Sequence, residues 1–162
     1  MHTQTSPRPG VLPAARGRHG VPPWAWLVGR GLGALAILAV GAIHLQQYNE
    51  SYSAIPTIGT LFIVNFVAAM VIGVALLAPI EHLVGRWAGA LVALVTAGGI
   101  ALAGGSFVLL LVSERRPLFG FQEPGYDPTA IANAKATELA AVVLLAASLA
   151  ARFSGKAPKA RW

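Results

Sequence analysis

Cysteine is absent from the 162 residues. A chain without thiols has no disulfide, no thiolate nucleophile and no zinc knuckle, and its redox compartment stays open. Charge is scarce too. Asp, Glu, Lys and Arg make up 11% of the chain, whereas a soluble domain carries about 25%. So few charges cannot cover a water-facing surface. Alternating apolar and polar runs are missing, which argues against a transmembrane barrel. Also missing are a glycine-rich phosphate loop, a catalytic triad, a kinase signature and a His-x-x-x-His pair. One His and one Glu do not complete a metal site. A single axial His could hold haem, but no second ligand lies at matching depth. The expectation is no metal, no cofactor and no catalytic motif.

What is present is apolar residues: 56% of the chain, with a mean hydropathy of +0.65. They gather in four stretches, about 24–45, 58–80, 87–112 and 128–153, the last apolar from about Ile131. Each reaches the roughly 20 residues that cross a ~30 Å hydrocarbon core as a helix. Backbone groups in lipid must bond within their own segment, so helices are expected. The fold class is an all-α four-helix transmembrane bundle over 23–154, in contact with the lipid bilayer. Residues 1–22, rich in Pro, Gly and Arg, read as a disordered basic tail, and 155–162 as a second basic tail. The first tail adjoins an apolar segment, so topology explains its charge better than nucleic-acid binding. "LAILAVGA" (35–42) has the small residues of a signal-peptide cleavage site, but the apolar run exceeds the usual h-region.

Lys and Arg set the expected orientation. Arg8, Arg16, Arg18, Arg30, Arg86, Arg152, Lys156, Lys159 and Arg161 fall on one side, and Arg115, Arg116 and Lys135 on the other. Nine against three places both termini in the cytoplasm of a plasma (inner) membrane, with 44–59 and 113–128 outside. Trp24, Trp26 and Trp87 mark the inner interface, and Tyr48, Tyr52 and Tyr126 the outer one. Arg30 is expected to snorkel to the inner phosphates, unless the first helix begins near Gly31.

Local signals mark the helix ends. Ser53 is expected to cap the second helix, with Pro56 in its first turn, and Asp127-Pro128 to start the fourth. Small residues four apart (Gly29 and Gly33, Ala69 and Gly73, Gly85 and Gly89, Ala101 and Gly105) suit close helix packing. Gly98-Gly99 and Gly104-Gly105 suggest that the third helix is central. The segment 113–128, "SERRPLFGFQEPGYDP", is long, aromatic and rich in turn residues. It reads as a folded cap, not a linker, with Arg115, Arg116, Phe119, Phe121 and Tyr126 as a candidate partner surface.

Placed by depth, His44, Asn65, Ser106 and Glu138 fall in one layer of the outer leaflet, on four different helices. Ionisable groups in a membrane usually face the bundle or a cavity. These residues and Tyr48 form a candidate ligand pocket. His44, Gln47, Tyr48 and Ser51 would share a face if the first helix continues. The competing reading is structural: His44 bonds a loop carbonyl, Asn65 bonds another helix, and Glu138 pairs with Lys135, Arg115 or Arg116. Glu50, Glu123 and Asp127 read as solvated loop charges.

The stretches "SYSAIPTIGTLFIVN" (51–65), "LFGFQEPGYD" (118–127) and "TELAAVVLL" (137–145) resemble small four-helix membrane proteins of high-GC bacteria that carry no assigned activity. That resemblance implies a fold and a location, not a reaction. The overall plan is also similar to DoxX-type proteins, linked with quinone or thiol redox systems, by fold analogy. Three functions are expected, in order. The first is a non-enzymatic accessory or assembly subunit that meets a membrane-protein partner through the cap. The second is a binding or redox-linked protein for a quinone-like or other lipid-soluble molecule, using His44 and Glu138. The third is a transporter, for which four helices without an internal repeat leave little room.

Overall fold

The computed structural model describes residues 22–79 and 84–154. Both expected tails, apart from Pro22, and the end of the second apolar stretch at Ile80 lie outside the described residues. Among those described, four long helices follow one another: α1, Pro23–Gln47; α2, Pro56–Leu77; α3, Ala88–Ser113; and α4, Pro128–Ser154. A π-helical turn, Tyr48–Tyr52, extends α1, and a 3-10 turn, Gly85–Trp87, leads into α3. All four helices are long and apolar enough to cross a membrane. Their outer surfaces agree: Leu35, Val71, Leu94, Val108 and Val143 are all exposed. An exterior this apolar suits lipid and would be a liability in water.

The helices run up and down in a ring, α1 beside α2 and α4, with α3 closing it. The core is built from small and branched residues, Ala34, Ile37, Ala69, Leu76, Ala103, Ala141 and Leu145. Lipid tails are as apolar as leucine, so close van der Waals packing is what holds such helices together. Glycines provide it on α1. A methyl on Gly33 would overlap the Leu145 side chain of α4, and one on Gly29 would lie 3.2 Å from Ser148 Cβ. Towards α2, a methyl on Gly41 would sit 3.0 Å from Ala69 Cβ, and one on Gly73 2.6 Å from Leu38 Cδ2.

The central helix is therefore α1, not α3 as expected. In the most apolar part of α1, 33% is buried, against 17% in α3. The α3 glycines divide accordingly. Gly99 meets Leu145 and Ile72, whereas a methyl on Gly105 would meet nothing within 4 Å. Gly85 is a turn residue at φ +55 and has open space around it.

Arg30 is also corrected. It is buried, and α1 begins at Pro23. Its Nε donates to Leu76 O at 2.6 Å and its Nη2 to Ala78 O at 2.7 Å. Those carbonyls end α2, where they have no helical N–H to accept and where a cation complements the helix dipole. Across the same end of the bundle, Ser148 Oγ donates to Trp26 O and Arg152 Nη2 to Gly89 O.

At the opposite end, Asp127 Oδ1 accepts from Ala130 N at 2.9 Å, so the Asp-Pro start of α4 is present. The Ser53 cap is not. Ile55, the residue before α2, is extended and no side chain caps the helix, whose first residue is Pro56. The proline removes one N–H that would otherwise need a partner. Gly59 N bonds to Ile55 O at 2.7 Å.

If the α1–α4 approach holds the bundle, Gly33→Ala should lower stability by about 1–3 kcal/mol through overpacking. Gly31→Ala, whose methyl meets nothing within 4 Å, should be neutral or slightly stabilising. Thermal unfolding in detergent, followed by circular dichroism, compares the two. Equal effects would show that this contact is not critical.

Candidate functional site

The π turn decides which residues face inward at the end of α1. An α-helix continued past Gln47 would keep His44, Gln47, Tyr48 and Ser51 on one face. The wider turn, closed by Ser53 N to Tyr48 O at 3.0 Å, shifts that register. Tyr52 is buried and turned inward instead, and Ser51 is exposed. Tyr48 packs beside Gly59, whose absent side chain leaves room for its ring. Glu50 accepts from Gln46 and Gln47 on the outer side of the turn.

Below Tyr52 lies a cavity of about 330 Å³ reached by all four helices and the cap. This is at the lower end of the size range of small-molecule sites. His44, Asn65, Ser106 and Glu138 line it together, one from each helix; Tyr48 does not. Leu118 and Phe121 of the cap and Tyr52 also line it.

The polar groups are incompletely bonded to one another. Asn65 Nδ2 donates to Ser106 Oγ across the α2–α3 seam. Asn65 is 7% exposed, and its Oδ1 has no hydrogen-bond partner among the described residues. Exchanging the amide's O and N still leaves one end unbonded. Glu138 is 1% exposed, and its Oε2 likewise lacks a partner among the described residues. Its Oε1 lies 3.9 Å from His44 Nε2, which is within ion-pair reach but too long for a hydrogen bond. Lys135 is not its partner: that amine bonds to Glu114 at 2.5 Å and ties the start of α4 to the end of α3.

His44 Nδ1 sits 2.9 Å from Val40 O. A carbonyl only accepts, so Nδ1 carries the hydrogen. In the neutral ring, Nε2 then presents its lone pair towards Glu138. The His44 ring also rests against Phe62, with centroids 5.0 Å apart. Thus donors and acceptors converge in an otherwise apolar chamber. No group of three His, Asp or Glu that could hold a metal ion gathers among the described residues.

The roof contains a residue that sequence reasoning misplaced. Glu123, expected as a solvated loop charge, is 7% exposed. Its Oε2 accepts from the Tyr52 hydroxyl and its Oε1 from Gly125 N. Its own N–H donates to Ser113 O at 2.9 Å. One residue thus pins the cap to the π turn and to the end of α3. Tyr52 stacks on Phe62 at 4.6 Å and meets Phe121 edge-on at 5.7 Å. The only sequence hint was the run Gln122-Glu123-Pro124-Gly125, since a carboxylate two residues before a glycine can accept its N–H.

The rest of the cap faces outward. Leu118 and Phe121 exchange backbone hydrogen bonds around a two-residue turn in which Phe119 has φ +51 and Gly120 φ +82. Both angles suit a type I′ hairpin turn, and glycine fits it where phenylalanine is strained. Phe119 is 63% exposed at this tip, and Arg115, Arg116 and Tyr126 are exposed nearby in sequence. Phe121 alone of that expected surface group turns towards the cavity.

The Tyr52–Glu123 contact should couple the cap to the bundle. In a double-mutant cycle, Tyr52→Phe and Glu123→Ala should show a coupling of about 1–3 kcal/mol in unfolding free energy. Strict additivity would mean that the contact does not hold the roof. Comparison with known proteins finds no matching family model, no matching curated protein and no matching solved structure.

Proposed function

We propose that this protein binds a lipid-soluble small molecule within the membrane, in the cavity beneath the cap. One observation carries the reading: Glu138 and Asn65 are buried on a shared cavity, and each keeps a polar atom that no described residue satisfies. Leaving such a group unbonded costs about 1–3 kcal/mol. Structural polar groups in a well-packed bundle normally find partners. A ligand hydroxyl would donate to Glu138 Oε2 or His44 Nε2, a ligand carbonyl would accept from the Asn65 amide N–H, and Phe62, Tyr52 and Phe121 would pack on its ring or chain. No proton or electron transfer is required for this role.

A quinone-like molecule fits these requirements, and so do other lipids with a neutral polar end. The protein would sit in a bacterial plasma membrane with both termini cytoplasmic and the cap outside, as the nine-to-three division of Lys and Arg supports. The accessory-subunit reading keeps one specific support. Phe119 is exposed at a strained turn, and such strain often accompanies contact sites. A partner protein meeting the cap there is compatible with ligand binding below it.

Two experiments test these proposals. Protein purified from its native membrane should release a stoichiometric lipid-soluble molecule on solvent extraction. Glu138→Gln and His44→Ala should each reduce that yield tenfold or more at sub-saturating ligand, equivalent to about 1.4 kcal/mol. Unchanged extracts from folded variants would sink the pocket reading. The thiol-free chain also permits cysteine labelling. A membrane-impermeant maleimide should label Glu50→Cys and Phe119→Cys in intact cells, and Arg86→Cys only after permeabilisation. The reverse pattern would invert the topology. Crosslinking through Phe119→Cys that yields no adduct would remove the support for a partner at the cap.

A further inference from the structure

The cavity has a side, and its walls say what enters. Five of its lining residues are exposed: Leu61 and Val64 on α2, and Ala101, Gly105 and Leu109 on α3. The remaining lining residues are buried or half-buried. The opening therefore lies between α2 and α3, the loosest seam of the ring. Ala101 to Leu109 spans about 12 Å of helix, well within a segment apolar enough to cross the membrane. In a membrane spanned by these helices it would open sideways towards hydrocarbon.

A second feature continues it. Ile63, Val64, Val67, Ala68, Val71 and Ile72 line a shallow, open apolar groove on the face of α2, and Val64 belongs to both groove and cavity. The groove passes α3 at Gly98, where an added methyl would lie 3.8 Å from Ile72 Cδ1. It runs about 14 Å down the helix, most of one leaflet of a ~30 Å core. The polar chamber and the apolar groove together make a site for an amphiphile with its head under the cap and its chain along the seam.

Charge restricts the head. The lining contains two carboxyl groups, Glu123 and Glu138, and no Lys or Arg. Nothing there offers the fixed cation that a buried phosphate, sulfate or carboxylate requires, and two acids oppose it. The unsatisfied Asn65 Oδ1 and Glu138 Oε2 instead suit a neutral group that donates, and the Asn65 amide turned over presents an N–H to one that accepts. Resting on the binding function proposed above, we infer that the ligand is a lipid with an uncharged hydroxyl or carbonyl head. It enters between α2 and α3 and leaves its hydrocarbon chain in the α2 groove.

The test uses the full-length protein in nanodiscs, with bound molecules counted by native mass spectrometry. Three probes separate the parts: a decyl-substituted benzoquinone, the same quinone head without its chain, and decyl sulfate. The decylquinone should bind one per chain, the tailless head at least tenfold more weakly, and decyl sulfate not at all. Gly98→Leu, whose side chain would start 3.8 Å from Ile72 of the groove and outside the cavity lining, should lower decylquinone affinity to that of the tailless head and leave the latter unchanged. Val71→Trp, exposed on the groove wall, gives the same readout if Gly98→Leu folds poorly. Equal binding of the two quinones, or indifference to both groove variants, overturns the chain site while leaving the cavity reading intact. Binding of decyl sulfate as tight as that of decylquinone overturns the neutral head. Failure of both quinones to bind sinks the cavity reading itself.

Discussion

Leu145 of α4 occupies the space that any side chain on Gly33 of α1 would need. That close approach governs much else in the bundle. Dispersion forces fall steeply with small gaps, so helices in lipid associate where their residues are smallest. In this chain the usable small residues lie on α1, at Gly29, Gly33 and Gly41, and on the α2 face that meets it at Ala69 and Gly73. Ring closure then falls to α3, which makes fewer close contacts. Its glycines at 98, 104 and 105 have no near backbone to receive them. Tight packing on one side and a loose seam on the other have the same origin, and the cavity forms at the loose side.

A loose seam alone would be a crevice. Two local departures from regular structure convert it into a chamber. The π turn at Tyr48–Tyr52 brings Tyr52 over the cavity as its roof, and the hairpin at 118–121 brings Phe121 to meet it. Glu123 joins these pieces by accepting from Tyr52 and from Gly125. Both devices shift register: one widens a helical turn, and the other forces Phe119 to a positive φ. Such geometry persists only when its surroundings over-determine it. Here the aromatic stack of Tyr52 on Phe62 and the bond to Glu123 supply that constraint.

The legibility of these features in the sequence follows how local their causes are. The four apolar lengths and the Asp127-Pro128 start depend on consecutive residues, and they were readable. The common depth of His44, Asn65, Ser106 and Glu138 was readable because helical rise is regular, so counting from each end gives height. Residues whose roles depend on remote partners were misread. Arg30 finds the α2 carbonyls 46 and 48 residues away, and a snorkelling arginine and a capping one look identical in sequence. Glu123 reaches Tyr52 across 71 residues, so its loop context suggested solvent. Tyr48 keeps α-helical register with His44, but its ring packs beside Gly59 of α2 and not on the cavity, a choice of side-chain direction that helical spacing does not reveal. The glycine pairs on α3 suggested centrality, but spacing cannot say whether a neighbour is present to use them.

The cavity poses an energetic problem that bears on its role. A carboxyl buried beside a histidine at 3.9 Å, with one oxygen unbonded, is poor structural glue. A leucine there would fill space with no polar penalty, and replacing buried ionic groups by apolar ones is often neutral or stabilising. With a proton between the two groups, a shift of less than 1 Å would bring Glu138 Oε1 within hydrogen-bond range of His44 Nε2. Its other oxygen would still be unsatisfied. The geometry is instead that of a group with capacity to spare, held by a rigid α1–α4 contact on one side and facing a pliable seam on the other. Under the proposed reading these two halves divide the work of recognition. The rigid half fixes the hydrogen-bonding atoms that select the head. The loose half, lined by small and branched apolar residues, accepts a chain whose exact length it has little means to measure. Selectivity for the head and tolerance for the tail are then the expected character of this site.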